Sequence, residues 1–299
     1  MIERIHLAIL REIERRGSLT AAAESLNLTQ SALSHSIKKL ESQLGLSLWR
    51  KKGRGLHLTD AGNCLLSAAR RILPQLEHTD ELLRQFASGD RARLRIGMEC
   101  HPCYQWLLKV VRPCLQQWPD VDIDVRQAFQ FGGIAALFNH EIDLLVTPDP
   151  LHKPGLVFIP VFDYEQVLAV AADHPLAGKA CASPADLVDQ RLYTYPVEHA
   201  RLDIYTRFLV PAQCSPKQTI SIEATEIMLQ LVASGRGVAA LPGWLVEEYS
   251  QQLPLKALRL GKQGIRKTIH LAVREGEQRY RHIAAFLSLA ATVNDASPE

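Results

Sequence analysis

The 299-residue sequence lacks long apolar runs, and no segment approaches the ~18 apolar residues in a row that a membrane-spanning helix needs. Its start also lacks the uninterrupted apolar core of a secretory signal, because Glu3 and Arg4 interrupt it. Cysteine is sparse, and the six residues are spread along a chain long enough to bury a core without cross-links: Cys64, Cys100, Cys103, Cys114, Cys181 and Cys214. We therefore expect a cytoplasmic protein with reduced cysteines and no membrane partner.

The usual signatures of catalysis are missing as well. The sequence has no phosphate loop of the G-x-x-x-x-G-K-S/T or G-x-G-x-x-G type, no G-x-S-x-G nucleophile elbow and no H-E-x-x-H metal motif. Ser34, His35 and Ser36 are neighbours, but consecutive residues of a helix point about 100° apart and do not face one another. We therefore expect no enzyme, no catalytic residues and no cofactor.

Residues 17 to 50 predict a helix-turn-helix. Ser18 is a suitable N-cap for a helix that runs through Leu26, and Asn27-Leu28 breaks the pattern before a second helix begins at Gln30 or Ser31. The apolar positions of the second helix recur at steps of four, three and four and predict its buried face: Leu33, Ile37, Leu40 and Leu44. The opposite, polar face is left for DNA, because a recognition helix contacts base edges mainly with its N-terminal residues.

A short cationic segment follows the second helix. The run from Trp49 to Leu58 has glycines at its centre among four cations, which is typical of a wing that follows the phosphate backbone. Residues 1 to 60 hold ten Lys and Arg against six acids, a net charge of +4 in a chain whose total is +2, so the remainder carries −2. The alternative is an ordinary three-helix fragment whose polar faces contact only solvent. Such a fragment would not require this concentration of positive charge. The predicted DNA contacts are Ser18, Thr20, Thr29, Gln30, Ser31, Ser34, His35, Lys38, Arg50, Lys51, Lys52 and Arg54.

A long helix is predicted after the wing, capped by Thr59. Its apolar residues recur at alternating steps of four and three, with Thr79 among them, which is the pattern of a coiled-coil seam. The predicted seam residues are Leu65, Ala69, Ile72, Leu76, Leu83 and Phe86. The simplest partner is the same helix of a second subunit, and packing on its own chain is the alternative. Pro74 predicts a kink, and Ser88-Gly89-Asp90 predicts the end of the helix and a domain boundary.

From Arg93 onward, strands alternate with helices, which predicts an open, largely parallel sheet in two small α/β lobes. The predicted strands include 93–98, 121–125, 143–147, 166–171, 218–222, 237–241 and 268–273. Ligands of such sheets bind beyond the carboxyl ends of strands, near helix N-termini. The segments at these places give the candidate effector contacts Glu99, Cys100, His101, Cys103, Phe129, Thr147, Asp149, Pro196, Arg201 and Thr225. An amino acid would need an anion site, such as Arg201 or backbone amides, and a cation site, such as Glu99 or Asp149. For each residue, a structural role at a strand end is the alternative.

Cys100, His101 and Cys103 place two thiols and an imidazole within four residues, which could ligate zinc or copper or act as a redox pair. Three ligands are too few for a closed structural site, and no second pair at zinc-finger spacing exists. We therefore favour a buried thiol at Cys100 and a polar cleft lining at His101, with no metal.

The N-terminal region resembles the LysR-type transcriptional regulators. The matching residues are Gly17-Ser18, Ala21-Ala22, Leu26, Thr29 to Ser34, Ile37, Leu40-Glu41, Leu44-Gly45, Leu48, Arg50, Leu58-Thr59 and Gly62, with Trp49 where the family usually has Phe. The resemblance implies an all-α winged helix-turn-helix (1–58), a dimerising linker helix (59–90) and a C-terminal α/β effector domain (91–299). The effector domain would be two-lobed and periplasmic-binding-protein-like, with lobe I at about 91–160 and 266–299 and lobe II at about 161–265.

The resemblance also implies a mode of action for this protein. Such a protein binds double-stranded DNA as a homodimer or dimer of dimers, responds to a small-molecule effector and contacts RNA polymerase. Later segments, among them Glu99-Cys100-His101 and Asp173-His174-Pro175-Leu176, resemble the branch of the family that activates methionine biosynthesis genes with homocysteine as co-inducer. The nearest alternative is a regulator of another pathway that senses a different metabolite. From another class, the alternative is a small-molecule carrier whose N-terminal helices only oligomerise.

Overall fold

The computed structural model describes residues 1–52, 55–88, 92–100, 102–126 and 132–292. The chain divides into two compact units: Met1–Arg91 together with Phe138–Glu141, and Ala92–Leu137 together with Ile142–Glu299. The predicted change from an α-rich N-terminal part to an α/β part is confirmed by the order of elements. Within the described ranges, no helix combines the length and the apolar character that crossing a bilayer requires.

Three helices begin the N-terminal unit: α1 (Arg4–Arg16), α2 (Leu19–Ser25) and α3 (Gln30–Leu44). The Ser18 hydroxyl caps α2 by accepting a hydrogen bond from Ala21 N at 3.1 Å, and the Thr29 hydroxyl caps α3 by accepting one from Ala32 N at 3.2 Å. Asn27, in the turn between them, has a left-handed φ of 55°, which asparagine adopts more readily than most residues. The predicted helix-turn-helix is therefore confirmed.

The buried face of α3 packs into the core of the N-terminal unit. Leu33, Ile37 and Leu40 are 0–3 % exposed, as their spacing predicts. Leu44 is predicted on the same face but is 42 % exposed, so this prediction is wrong. The reason is that Leu44 ends the helix, and the left-handed Gly45 turns the chain away before another turn of the apolar face can be covered.

The predicted wing is an antiparallel hairpin of β1 (Trp49–Lys52) and β2 (Gly55–Leu58). Residues 53 and 54, between the two strands, lie outside the described residues, and the predicted contact Arg54 is one of them. Thr59 ties the end of the hairpin to the next helix: its hydroxyl donates to Ser47 O at 2.7 Å and accepts from Gly62 N at 3.1 Å. The predicted capping role of Thr59 is thus confirmed.

The long helix α4 (Asp60–Ser88) packs on its own chain along its first half. Leu65 and Ala69 are 7 % and 0 % exposed, in the same core as residues of α1. Both are predicted as seam residues, and this part of the prediction is wrong, because a side chain buried within its own subunit offers no surface to a second one. Ion pairs continue the α1–α4 contact: Arg11 Nη2 lies 2.6 Å from Glu77 Oε1, and Arg4 Nη1 lies 2.5 Å from Asp80 Oδ2.

From Ile72 onward, α4 carries an exposed apolar stripe. Ile72, Leu76 and Leu83 are 41 %, 38 % and 59 % exposed, and they recur at steps of four and seven along the helix. The side chain of Phe86 lies outside what the structure describes. We call Ile72, Leu76 and Leu83 the α4 stripe; its role as a dimer seam stays a prediction.

The second unit consists of two α/β lobes. Lobe I contains the parallel strands β3 (Ala92–Met98), β4 (Val121–Arg126) and β5 (Leu144–Thr147) with the helices α5 (Cys103–Gln117), α6 (Gly133–Phe138) and α9 (Arg281–Thr292). Lobe II contains β7 (Cys181–Ala182), β8 (Arg191–Thr194), β9 (Gln218–Ser221), β10 (Val238–Pro242) and β11 (Leu255–Leu260) with α7 (Thr225–Ala233) and α8 (Gly243–Ser250). The described strands that the sequence predicts in each lobe are confirmed.

Two long antiparallel strands connect the lobes: β6 (Leu156–Ala171) and β12 (Ile265–Arg274). The strand order is β4-β3-β5-β12-β6-β10-β8-β9, so the pairs β3–β4, β3–β5, β8–β9 and β8–β10 are parallel while the centre is antiparallel. The sequence predicts only residues 166–171 of β6 and 268–273 of β12 as strands, so both predicted strands are shorter than the observed ones. The residues omitted are those at the crossing, where sequence alternation is weak because both faces are half-buried.

Candidate functional site

The first candidate surface is the N-terminal part of α3. Gln30, Ser31, His35 and Lys38 are exposed there, and Ser34 is half-buried. Gln30 Nε2 lies 3.5 Å from Ser34 Oγ, at the limit of hydrogen bonding, so the amide group is not committed to a strong internal partner. The structure thus brings five of the predicted DNA contacts onto one polar face of one helix.

The predicted contacts Ser18, Thr20 and Thr29 lie exposed beside the N-termini of α2 and α3. The hydroxyl oxygens of Ser18 and Thr29 accept the capping hydrogen bonds, and the Thr29 hydroxyl also lies 3.1 Å from the Ser31 hydroxyl. The Ser18 hydroxyl can still donate its proton. Helix N-termini favour anions, and a hydroxyl donor at such a place suits a phosphate oxygen. Their structural role is therefore compatible with contact to the DNA backbone.

The wing supplies the cationic part of this surface. Arg50 is exposed on β1, where it pairs with His57 of β2. Lys51 and Lys52 follow on the same strand, and the structure describes their backbone only. The strand places three consecutive cations next to the helix-turn-helix, which is the arrangement that backbone contact requires.

The second candidate site is a cavity in the α/β unit of about 100 Å³, which limits an occupant to a small molecule. The described residues that line it are Glu99, Cys100, Pro102, Pro148, Asp149, Tyr164, Gln166, Tyr193, Thr194, Tyr195, Val197, Arg201, Leu202, Asp203, Met228, Ala240, Pro242 and Lys267. They come from both lobes and from the crossing strands. We call this cavity the effector pocket.

Glu99 lies at the carboxyl end of β3 and is held in place by two donors. Its Oε1 accepts from Gly133 N at 3.1 Å, and its Oε2 accepts from the Thr147 hydroxyl at 3.0 Å. Burial raises the pKa of the Glu99 carboxyl, while these hydrogen bonds and the nearby charge of Arg201 lower it in part. The result is a fixed, partly desolvated carboxylate that would be stabilised by a cationic group of a ligand.

Lys267, on β12, is the less exposed of the two cations that line the pocket. Its Nζ lies 2.7 Å from Asp149 Oδ1 and 2.5 Å from Asp203 Oδ2, and its side chain is 11 % exposed. Two carboxylates therefore already neutralise it. With Glu99 and Arg201, the described lining holds three acids against two bases, which favours a ligand that carries an ammonium group.

The side chains of Tyr164, Tyr195 and Gln166 contribute further polar groups to the wall of the pocket. The Tyr195 hydroxyl lies 2.8 Å from the Thr225 hydroxyl, and burial raises the pKa of the Tyr164 and Tyr195 phenols, which keeps both neutral. The buried Gln166 Oε1 makes no hydrogen bond with the residues that the structure describes. This oxygen is an acceptor that a ligand donor can satisfy.

Cys100 and Cys103 are joined by a disulfide. The expectation that all six cysteines are reduced is therefore wrong for this pair. Cys103 begins α5 and Cys100 stands three residues earlier, which brings their Cα atoms to 5.3 Å, within the range that a disulfide spans. The predicted buried thiol at Cys100 is wrong as well: Cys100 is partly exposed and lines the pocket, whereas Cys103, which begins α5 and packs into the core, is 1 % exposed. The sulfurs are thus bonded to each other and are not available as metal ligands.

Four of the predicted effector contacts line the pocket, namely Glu99, Cys100, Asp149 and Arg201. Three others lie behind that lining: Thr147 holds Glu99, Thr225 holds Tyr195, and Cys103 holds Cys100. Pro196 lies between the lining residues Tyr195 and Val197 but is not itself part of the described lining. His101 and Phe129 are outside the described residues.

Sequence patterns do not reveal the pocket residues of the crossing strands and of the loop after β8, above all Tyr164, Gln166, Asp203 and Lys267. Tyr164, Gln166 and Lys267 lie within β6 and β12, so the rule that ligands bind beyond strand ends cannot identify them. Asp203 stands two residues after Arg201, and its acidic character beside that cation is a signal that could have found it.

Comparisons with known proteins cover nearly all of the chain. Residues 5–63 match the family model described as bacterial regulatory helix-turn-helix protein, lysR family, and residues 87–294 match the LysR substrate binding domain. The chain is 41 % identical over 290 residues to the HTH-type transcriptional regulator MetR of Escherichia coli K12, which covers 97 % of this chain and 90 % of that protein.

Solved structures agree in fold. The regulatory domain of MetR, a LysR family regulator from N. meningitidis, matches with a TM-score of 0.63 and 32 % identity, covering 70 % of this chain and 96 % of that chain. Full-length CbnR complexed with its target DNA matches with a TM-score of 0.65 and 21 % identity, covering 98 % of this chain and all of that chain. At that identity, the second likeness shows the fold alone.

Proposed function

The chain belongs to the LysR family of bacterial transcriptional regulators, and from that premise we propose that it controls methionine biosynthesis genes in response to homocysteine. That it is a DNA-binding regulator and not an enzyme follows from its relatives. The target genes, the effector and the assembly state are the proposal. The observation that carries it is the small effector pocket, with its excess of acids, in a chain 41 % identical to MetR.

The N-terminal surface supports sequence-specific binding. The polar face of α3 offers an amide, hydroxyls and cations to base edges, and the wing offers cations to phosphates. A single recognition helix reads few base pairs, so specificity needs two half-sites and hence two subunits. The α4 stripe supplies an apolar surface on which a homodimer can form, and a dimer of dimers would double the half-sites.

The effector pocket supports an α-amino acid as ligand. Glu99 is placed to pair with the ammonium group, and Arg201 lines the same cavity and can pair with the carboxylate. Partial burial of Glu99 strengthens the first of these interactions, because the local dielectric constant is lower than in water. Homocysteine has both groups and a short side chain that a cavity of about 100 Å³ can admit.

The proposed mechanism is a shift between two arrangements of the lobes. A ligand that contacts Glu99 in lobe I and Arg201 in lobe II stabilises the arrangement in which both groups face the cavity, and it shifts the population only by its difference in affinity for the two states. This shift would change the spacing or bend of the bound DNA and so the contact with RNA polymerase. Such a regulator binds chromosomal DNA and therefore acts in the cytoplasm.

A mobility-shift titration tests the proposal. The full-length protein is titrated onto DNA from upstream of its own gene and onto unrelated DNA of equal length, with and without L-homocysteine. We expect a preference of at least about a thousandfold for the upstream DNA and a change in its affinity or footprint on adding homocysteine. Specific binding with no response to homocysteine would reject this effector and favour a LysR regulator of another metabolite. Equal, weak binding to both DNAs would favour a carrier protein and overturn the proposal.

A further inference from the structure

We propose that the Cys100–Cys103 disulfide is a covalent capture site for the thiol group of the effector, an amino acid with a side-chain thiol. This inference rests on the proposed function, because it takes the effector pocket as the ligand site. It goes further by assigning to the pocket a bond-forming step and a chemical class of ligand, an aminothiol carboxylic acid.

The two sulfurs have different environments. Cys100 is partly exposed and lines the pocket directly after Glu99, whereas Cys103 is 1 % exposed and packs into the core of lobe I. A ligand in the pocket can therefore reach the Sγ of Cys100 and not that of Cys103. Because the attacking thiolate must approach one sulfur while the other leaves, accessibility assigns Cys100 as the sulfur attacked and Cys103 as the leaving group.

The place of Cys103 suits a leaving thiolate. It is the first residue of the fifteen-residue helix α5, and no side chain caps that helix, since the N-cap is Pro102. The positive end of the helix dipole favours negative charge, so it stabilises the thiolate that forms on Cys103 as the disulfide breaks.

The exchange is balanced without an external oxidant. The effector thiolate forms a disulfide bond with Sγ of Cys100, the Cys100–Cys103 bond breaks, and Cys103 takes up the electron pair and the proton that the effector thiol has lost. The effector sulfur is oxidised to the disulfide level and Cys103 is reduced. Return of Cys103 to Cys100 reverses the step and releases the effector unchanged.

Selectivity comes from the charges and size of the pocket. The ammonium and carboxylate of the ligand pair with Glu99 and Arg201, which brings its thiol to the neighbouring Cys100. A neutral thiol of similar reactivity lacks both charges, and a tripeptide thiol exceeds a cavity of about 100 Å³. The same disulfide should therefore react preferentially with small amino-acid thiols.

Peptide mapping of the full-length protein tests the inference. Oxidised protein is incubated anaerobically with L-homocysteine, quenched, alkylated with N-ethylmaleimide and digested with trypsin, which releases residues 96–109 with Cys100 and Cys103 as the only cysteines. We expect this peptide to carry homocysteine on Cys100 and the alkyl group on Cys103. The intact protein should gain the mass of one whole homocysteine molecule before alkylation.

Three ligands serve as controls. Methionine, which has no thiol, should give no adduct, and 2-mercaptoethanol and glutathione at equal thiol concentration should give at least about tenfold less, since each charged contact adds about tenfold to the effective affinity. Equal adduct formation with 2-mercaptoethanol would show simple thiol exchange and overturn the inference. A disulfide that survives saturating homocysteine, or a peptide alkylated on both cysteines without adduct, would overturn it as well.

Two variants and one further readout separate the inference from the proposed function. C100S and C103S have no disulfide to exchange and should give no adduct, while the exposed Cys64 is an internal control for unspecific oxidation. DNA binding that responds to homocysteine with no adduct on Cys100 would reject covalent capture and leave the proposed function intact. An adduct on Cys100 with DNA binding unchanged would reject the effector role and leave the capture chemistry standing.

Discussion

Gln30 is the first residue of α3, exposed at the end of the helix that enters the major groove in a helix-turn-helix. Its side-chain amide can both donate to and accept from a base edge, and only a weak contact at 3.5 Å links it to Ser34. Glutamine pairs best with adenine, so Gln30 is the residue of this face with the clearest base preference.

We expect Gln30→Ala to relax base preference at one position of each half-site, at a cost of about 1–3 kcal/mol on the preferred sequence and little on unrelated DNA. Competition binding with single-base variants of the site measures this. Ser42→Ala, at an exposed position near the C-terminal end of the same helix, is the control. It should change neither the base preference nor the affinity for the preferred sequence. An equal loss on all sequences would instead assign Gln30 to phosphate contact.

Glu99 gives the effector pocket its pH dependence. Burial raises its pKa, so the carboxyl is protonated at a higher pH than an exposed glutamate, and the ammonium group of a ligand pairs only with the ionised form. Effector affinity should therefore be full above the raised pKa and fall as the pH drops through it. Glu99→Gln should lower affinity at neutral pH by about tenfold or more and remove this pH dependence.

Calorimetric titration of effector from neutral to mildly acidic pH measures the Glu99 prediction. Glu247→Gln, an exposed carboxyl on α8, is the control and should retain the wild-type profile. A Glu99→Gln variant that keeps the wild-type pH profile would show that another group is responsible.

At the scale of elements, the junction of wing and α4 depends on a close approach. A Cβ on Gly62 would overlap the carbonyl oxygen of Leu48 and lie 2.8 Å from Leu58 Cδ2, and the carbonyl belongs to backbone that cannot move aside cheaply. We expect Gly62→Ala to reduce the free energy of unfolding by about 1–3 kcal/mol. Urea unfolding measures it, with Gly178→Ala as the neutral control, because nothing lies within 4 Å of that Cβ position.

Helix α4 also shows the limit of what sequence periodicity can predict. A seven-residue repeat predicts one apolar face, but it does not say what covers that face. Tertiary packing divides it: Leu65 and Ala69 are covered by the subunit's own core, whereas Ile72, Leu76 and Leu83 remain exposed. Packing on its own chain therefore accounts for Leu65 and Ala69, whereas packing on a partner stays a prediction for the α4 stripe.

We expect Leu76→Asp combined with Leu83→Asp to weaken subunit association by at least about a hundredfold, because each change places a charge where about 2 kcal/mol of apolar burial would otherwise stabilise the dimer. Analytical ultracentrifugation across a range of concentrations measures the shift toward monomer. Ser67→Asp adds the same charge on another face of α4 and should leave the assembly unchanged. A variant that associates as wild type does would exclude the α4 stripe as the seam.

At the scale of the whole molecule, charge is divided between the two units. The net +4 of residues 1–60 against −2 in the remainder directs the N-terminal unit toward DNA, and a dimer doubles every contact. We expect Lys51→Ala to weaken binding to all sequences and to reduce the slope of log affinity against log salt by about 1.8, two phosphates per dimer at about 0.9 each.

A salt titration of DNA binding measures this slope. Lys256→Ala removes an exposed cation from β11 of the α/β unit and should leave the slope unchanged. Slopes that are indistinguishable for wild type and Lys51→Ala would refute phosphate contact by the wing.

Local sequence patterns are enough to predict the elements of the N-terminal unit and the family. Caps such as Ser18 and Thr29, and the apolar spacing of Leu33, Ile37 and Leu40, act within a few residues of chain, so they can be recognised without knowledge of the fold. The same holds for the alternation of strands and helices after residue 92.

The pocket and the different environments of the two cysteines depend on tertiary packing. Glu99 and Lys267 line the same cavity although 168 positions separate them, because β12 returns through the crossing beside β5. Cys100 and Cys103 are close in sequence, yet burial of one and exposure of the other depend on how α5 packs into lobe I. Contacts between distant segments depend on the path of the chain, and that path is set by packing and not by local preference.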